Sequence, residues 1–205
     1  MARINRDDVD KFFDYDINVP TRTIYMGSVG TDYEDNETGV DYAMAERIIK
    51  SIHLLEAASD QPITIIINNP GGDTSHGMAI YDAIKNCSCH ITIIGYGNVC
   101  SMGAYILQAA DERVLAPNCT FMFHVGYEGH SSNHPKIVEA WREFYKYKVT
   151  PKLNSILLEA INNKRREDKV PEMTEEEFDK YNDFDTILTS EEAVQWGFAD
   201  KILGE

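Results

Sequence analysis

Ile63–Ile67 is an unbroken run of β-branched residues that Asn69-Pro70-Gly71-Gly72 ends abruptly. No other part of the chain limits its possible folds as strongly. Such a run reads as a strand buried on both faces, as inside a parallel sheet. The proline and the two glycines cannot extend it. Met78, Ile80, Tyr81 and Ile84 then recur at helical spacing, which predicts a helix over His76–Lys85. Ile91–Ile94 reads as a second buried strand, residues 97–100 as a turn, and Ser101–Ala110 as a second helix. Thr120–Val125 is a third strand-like run. Strand, helix, strand, helix, strand predicts an α/β fold with a parallel sheet and crossover helices. In that architecture functional groups gather where strands end and helices begin.

The flanks are less regular. Residues 1–20 are polar and read as irregular. Arg22–Val29 reads as a short strand, residues 30–41 as an acidic surface loop, and Tyr42–Ala58 as an amphipathic helix. Pro135–Asn163 carries a long helical pattern that Pro151 interrupts, at a cost of about 3 kcal/mol in an unbroken helix. A kink is expected there, or two helices with Thr150 capping the second. Thr189-Ser-Glu-Glu192 has the form of a capping box, and Gly197 stops the helix it begins. A chain of 205 residues suits one domain spanning residues 1–205.

Charge and composition exclude several classes. The net charge of −15 repels phosphate backbones and anionic membranes, so neither nucleic acid nor membrane is an expected partner. The apolar runs are too short to span a bilayer, and MARINRDDVDKFF lacks the apolar stretch of a signal peptide. A cytoplasmic location is expected. Cys87, Cys89, Cys100 and Cys119 lack zinc-knuckle spacing and read as four buried, reduced thiols. No metal or other cofactor is expected.

Acyl transfer needs a nucleophile, a base, an orienting acid and an oxyanion site. Ser101 follows a buried strand and opens an apolar helix, where free N–H groups and the positive dipole end lie. The same position would suit a serine that merely caps the helix. Cys100, its neighbour, is a rival thiol nucleophile. Gly71-Gly72 can aim a backbone N–H at an oxyanion, or simply form a tight turn. The six histidines compete for the base, and spacing alone does not rank His124 above His76. Eleven acidic residues lie between Glu167 and Glu192, most of them necessarily solvated surface. Asp185 differs in standing just before the apolar Ile187-Leu188.

Together these segments resemble the Clp protease proteolytic-subunit family. The resemblance rests on Ile66-Ile67-Asn68-Asn69-Pro70-Gly71-Gly72, Gly77-Met-Ala-Ile-Tyr-Asp82, Ser101-Met-Gly-Ala104, Met122-Phe-His124, Asp185-Thr-Ile-Leu188 and Glu192-Ala-Val-Gln-Trp-Gly197. Their order and approximate spacing hold from about residue 42 to 203. The resemblance implies a crotonase-like, ClpP-type α/β fold with a protruding handle helix in residues 126–163. It implies Ser101 as nucleophile, His124 as base, Asp185 as acid, and the N–H groups of Gly72 and Met102 as oxyanion donors. It further implies self-assembly into stacked heptameric rings, unfolded polypeptide as substrate, and an AAA+ unfoldase partner that uses the ATP.

The chain departs from the family pattern in places. Val125-Gly126-Tyr127-Glu128-Gly129 replaces the usual Gln-Pro and Gly-Gly text after the histidine. The span from Ser101 to His124 is two residues short, absorbed in an Asp111-Glu112-Arg113 turn. Residues 1–41 form a divergent segment at the position of the axial gate. Two rival readings remain beside the peptidase: a crotonase-type acyl-CoA enzyme, and a catalytically silent ring or assembly subunit.

Overall fold

The computed structural model describes residues 6–27, 39–126 and 134–205. The readings for residues 1–5, 28–38 and 127–133, including parts of the gate and handle segments, lie outside them. The central parallel strands are β2 (Thr23–Gly27), β3 (Ile63–Asn69), β4 (Ile91–Cys100) and β5 (Glu112–Leu115). A short β1 (Ile17–Asn18) adds to β2 antiparallel, and β8 (Lys201–Ile202) adds to β5 in parallel. The strand order is β1-β2-β3-β4-β5-β8. The crossovers contain α3 (Thr74–Asn86), between β3 and β4, and α4 (Met102–Leu107), between β4 and β5. With α2 (Tyr42–Ala58), whose ends are those expected, these are the helices expected over the first half of the chain, α3 being slightly longer and α4 shorter than expected.

Ile63, Ile65, Ile67, Ile91 and Ile93 are fully buried, whereas Thr64, Ile66, Thr92 and Ile94 are half-exposed. The branched run is therefore buried on one face only. The reason is the layering: α2 lies against β2, α4 against β3 and β4, and α3 against both helices. No described helix of this group covers the opposite face.

β4 is longer than its sequence suggested, running through the expected turn to Cys100. It also changes partner along its length. Thr92–Gly95 pair with β5, while Asn98–Cys100 pair with β6 (Thr120–Phe123). The change falls at Gly95-Tyr96-Gly97. Gly97 has φ +56°, and a β-carbon on Gly95 would meet Val99 and Leu115 side chains at 2.6 and 2.7 Å. The Asn68 carboxamide accepts from Asn98 N–H at 2.9 Å, where the β3–β4 register also shifts. β7 (Thr186–Leu188) pairs antiparallel with β6, so β4, β6 and β7 make a small sheet branching from the main one.

Three other expectations need correction. Residues 6–15 form a helix, α1 (Arg6–Tyr15), steadied by Phe12 packing edge-on against Tyr25 at 4.9 Å. Residues 112–115 are strand rather than turn. The charges that disguised that strand have partners: Glu112 pairs with Lys201, and the Arg113 guanidinium reaches Asp200, Gln108 and Gly197. Thr150 is the first residue of the second helix and not its cap; Val149 stands at the cap position, with no side-chain cap bond. Instead α5 (Pro135–Phe144) runs through a π-helical turn, Tyr145–Val149, into α6 (Thr150–Glu167). The wider turn lets Pro151 follow without its ring striking the carbonyl one turn back.

α7 (Glu175–Asn182) opens on a capping box at Thr174, which the sequence reading passed over. α8 (Ser190–Trp196) opens on the expected box at Thr189. Gly197 ends α8 at φ +89°, and a β-carbon there would lie 2.4 Å from Lys164 Cβ and 2.7 Å from the Ala160 carbonyl. Gly197→Ala should lose about 1–2 kcal/mol from backbone conformation alone, and more from the contact with α6. A drop in thermal midpoint of several degrees in a melting experiment checks this.

Candidate active site

The branch sheet gathers the expected site residues Ser101, His124 and Asp185 at one end. Cys100 is in register with Met122, and Ser101 N–H donates to the Met122 carbonyl at 2.8 Å. Phe123 is opposite Thr186 in the antiparallel β6–β7 pair, so one further step brings His124 opposite Asp185. Ser101 Oγ lies 2.9 Å from His124 Nε2, and His124 Nδ1 lies 2.8 Å from Asp185 Oδ1. The two contacts form one chain from hydroxyl through imidazole to carboxylate. His76, the rival base, instead packs edge-on against Tyr42 at the start of α3.

Ser101 has φ +50° and ψ −120°, a conformation costly for any residue bearing a β-carbon. It makes no side-chain cap bond to α4, which removes the capping alternative. A strained residue between strand and helix holds its hydroxyl clear of both elements, the geometry that exposes a nucleophile. Gly71 leaves the room for it: a β-carbon there would fall 2.5 Å from Ser101 Cβ and 3.0 Å from its Oγ.

His124 is held from several sides. The Tyr105 hydroxyl donates to its carbonyl at 3.4 Å, and the next N–H, from Val125, donates to the Asn182 carbonyl at 2.7 Å. Asp185 is 60% exposed in the isolated chain, flanked by the exposed apolar side chains of Phe184 and Ile187. Tyr105 is buried, and burial raises its hydroxyl pKa far out of the physiological range, leaving a neutral donor.

The two expected oxyanion donors flank Ser101. Met102 is the first residue of α4, where an N–H has no acceptor within the helix. Gly71 and Gly72 have φ +109° and +145°, so the turn is closed to other residues. Val40 bridges Gly72 in parallel by binding the Gly71 carbonyl and the Asp73 N–H, and this leaves the Gly72 N–H off that ladder. The Val40 contacts, and the Asn69 Oδ1 that accepts from the Gly71 N–H at 2.8 Å, escaped the sequence reading. Asn-Pro-Gly is itself a signal for a side chain closing onto the backbone two residues on.

The rival thiol is poorly suited. Cys100 is buried, and burial, then the nearby Asp185 charge, push its pKa above the usual thiol value. A raised pKa depletes the thiolate that a cysteine nucleophile needs. Cys119, also buried, is pushed up to about 12. All four cysteines are free thiols, but Cys87 is only half-buried, since it ends α3 near the surface. Among the described residues no group of three or more His, Cys, Asp or Glu side chains is placed to hold a metal ion. No described helix is long and apolar enough to cross a membrane. Cys100 should therefore resist alkylation by iodoacetamide at neutral pH in the folded chain. Peptide mapping of the treated protein by mass spectrometry measures this, with rapid modification at Cys100 as the contrary result.

Comparison with known proteins bears on the whole arrangement. The Clp protease family model matches residues 36–205. The ATP-dependent Clp protease proteolytic subunit 2 of Pseudomonas aeruginosa is 36% identical over 170 residues, covering 80% of this chain and 77% of that protein. The chloroplastic ATP-dependent Clp protease proteolytic subunit 3 of Arabidopsis thaliana is 31% identical over 171 residues. That match covers 81% of this chain but only 51% of the Arabidopsis protein. Among solved structures, a ClpP1 mutant from Listeria monocytogenes superimposes with a TM-score of 0.72 at 26% identity, covering 91% of this chain and 94% of that one. With its ClpP-type α/β fold and a family match over most of its length, the chain belongs to the Clp protease family.

Proposed function

We propose that the chain is a serine endopeptidase subunit that hydrolyses unfolded polypeptides through an acyl-enzyme at Ser101. The observation that carries this reading is the continuous contact from Ser101 Oγ to His124 to Asp185, at 2.9 and 2.8 Å, with the serine held in a strained conformation. His124 takes the Ser101 proton as Oγ attacks the scissile carbonyl. Asp185 holds the imidazole in the tautomer that leaves Nε2 free to accept, and stabilises the cation that forms. The N–H groups of Gly72 and Met102 bind the tetrahedral oxyanion. His124 then gives its proton to the leaving amine. Water, activated by the same imidazole, releases the acyl group and restores the serine. None of these steps calls for a metal or organic cofactor on this chain.

Family membership supports a wider setting. Subunits stack as two heptameric rings around a chamber, in the cytoplasm, and an AAA+ unfoldase feeds the chamber at the expense of ATP. The exposed apolar face of α5, with Ile137, Trp141 and Phe144, suits contact between subunits, as expected of the handle.

Ser101→Ala should lower turnover of a fluorogenic peptide by about 10⁴-fold or more. A fluorophosphonate probe should label the wild type at Ser101 and leave that variant unlabelled. Near-normal turnover by Ser101→Ala would reject the nucleophile. Assembled wild-type rings that take no label would identify a silent subunit instead.

A further inference from the structure

We infer that Asn69 is a positioning residue for acyl transfer, fixing the Pro70–Gly71 peptide that leads into the Gly71–Gly72 peptide, and that Gly39-Val40 holds the Gly71–Gly72 peptide itself from the other side. The inference rests on the peptidase reading above and assigns its oxyanion site a support. Asn69 is the last residue of β3 and is fully buried. Its Oδ1 accepts from the Gly71 N–H at 2.8 Å, closing a tight ring around Pro70. Its Nδ2 faces Met44 Sδ of α2 at 3.6 Å, so both ends of the carboxamide are engaged. A buried amide that satisfies a loop N–H fixes that loop more firmly than solvent would.

The opposite contact determines where the oxyanion donor points. Val40 N–H donates to the Gly71 carbonyl at 2.6 Å, and Asp73 N–H donates to the Val40 carbonyl at 2.8 Å. There are no cis peptide bonds among the described residues. In a planar trans peptide the N–H points opposite to the carbonyl. Holding the Gly71 carbonyl against Val40 therefore turns the Gly72 N–H directly away from Val40. The packing permits little drift. A β-carbon on Gly39 would fall 2.1 Å from the Gly71 carbonyl oxygen, and one on Gly71 would strike Ser101. The loop is thus wedged between Gly39 and the nucleophile, with Asn69 tethering its entrance.

The test compares Asn69→Ser with Asn69→Ala, two variants that differ by one oxygen. A serine hydroxyl can close a similar turn onto the same N–H, whereas alanine cannot. Three readouts are used: kcat and KM on a fluorogenic peptide, affinity for a peptide aldehyde, and thermal midpoint with assembly state. The aldehyde's hemiacetal at Ser101 places an oxyanion in the same position as the tetrahedral intermediate. Asn69→Ala should lower kcat on the order of 10- to 100-fold with KM nearly unchanged, and weaken aldehyde binding in proportion. Asn69→Ser should recover most of both. Equal kcat and equal aldehyde affinity in the two variants would overturn the inference. If Asn69→Ala does not assemble, Gly39→Ala carries the test from the other side of the loop. The same loss in kcat supports the inference, and wild-type kcat with wild-type aldehyde affinity overturns it. A wild-type protein that neither turns over peptide nor labels at Ser101 removes the peptidase reading and this inference together. An active wild type with indistinguishable Ser and Ala variants removes the inference alone.

Discussion

The hydrogen bonds that β4 makes after Gly97 are the constraint on which the rest depends. One edge of this strand stays on β3, while the other pairs with β5 up to Gly95 and with β6 from Asn98. A strand without that change of partner would carry Ser101 toward β5, away from both His124 and Asp185. The site is therefore an outcome of backbone pairing, with side chains delivered by register. The cluster is also stiff for this reason. Its members sit at the ends of hydrogen-bonded strands, where small displacements must break ladder bonds before they can separate the side chains.

Much of this was legible in the chain itself, in a way that follows the physics of each signal. The helices over Tyr42–Ala58 and after Pro70-Gly71-Gly72, and the capping box at Thr189, all depend on local pattern, which sequence displays directly. β5 was missed because Glu112 and Arg113 resemble turn residues until Lys201 and Asp200, far along the chain, are placed beside them. α1 was missed because its described side chains are largely exposed and its anchor is one tertiary ring contact, Phe12 on Tyr25. The site divides along the same line. The Pro-Gly-Gly turn and Ser101 before an apolar helix were visible locally. The choice of His124 and Asp185 among many candidates came only through family resemblance, because antiparallel register between two distant segments leaves no local trace. Asn69 and Val40 went unread for a related reason: their contribution lies in which way a peptide plane faces.

Surface chemistry separates the two ends of the proposed catalytic chain. Ser101 and His124 are largely enclosed by their own subunit, while Asp185 stands open between exposed Phe184 and Ile187. An acid that must orient an imidazole works better with less competing water. Under the ring reading, a neighbouring subunit packed over this edge would supply that exclusion. The activity would then belong to the assembly more than to the single chain.

The π-helical turn at Tyr145–Val149 has a consequence for the geometry of the protrusion. An α-helix advances its side chains by about 100° per residue, and a π turn accommodates one extra residue in the same rise. The apolar stripe of α5 is thus turned by about 100° from where an unbroken helix would set it against the buried stripe of α6, which packs Leu157, Ala160 and Ile161 into the core. On an unbroken α-helix the 20 residues from Ile137 to Leu157 (157 − 137) would turn about 2000°, setting the two stripes on nearly opposite sides. The extra residue thus resets that angle to roughly a quarter turn, so a single rod grips its own subunit with one side and presents the adjacent side further out.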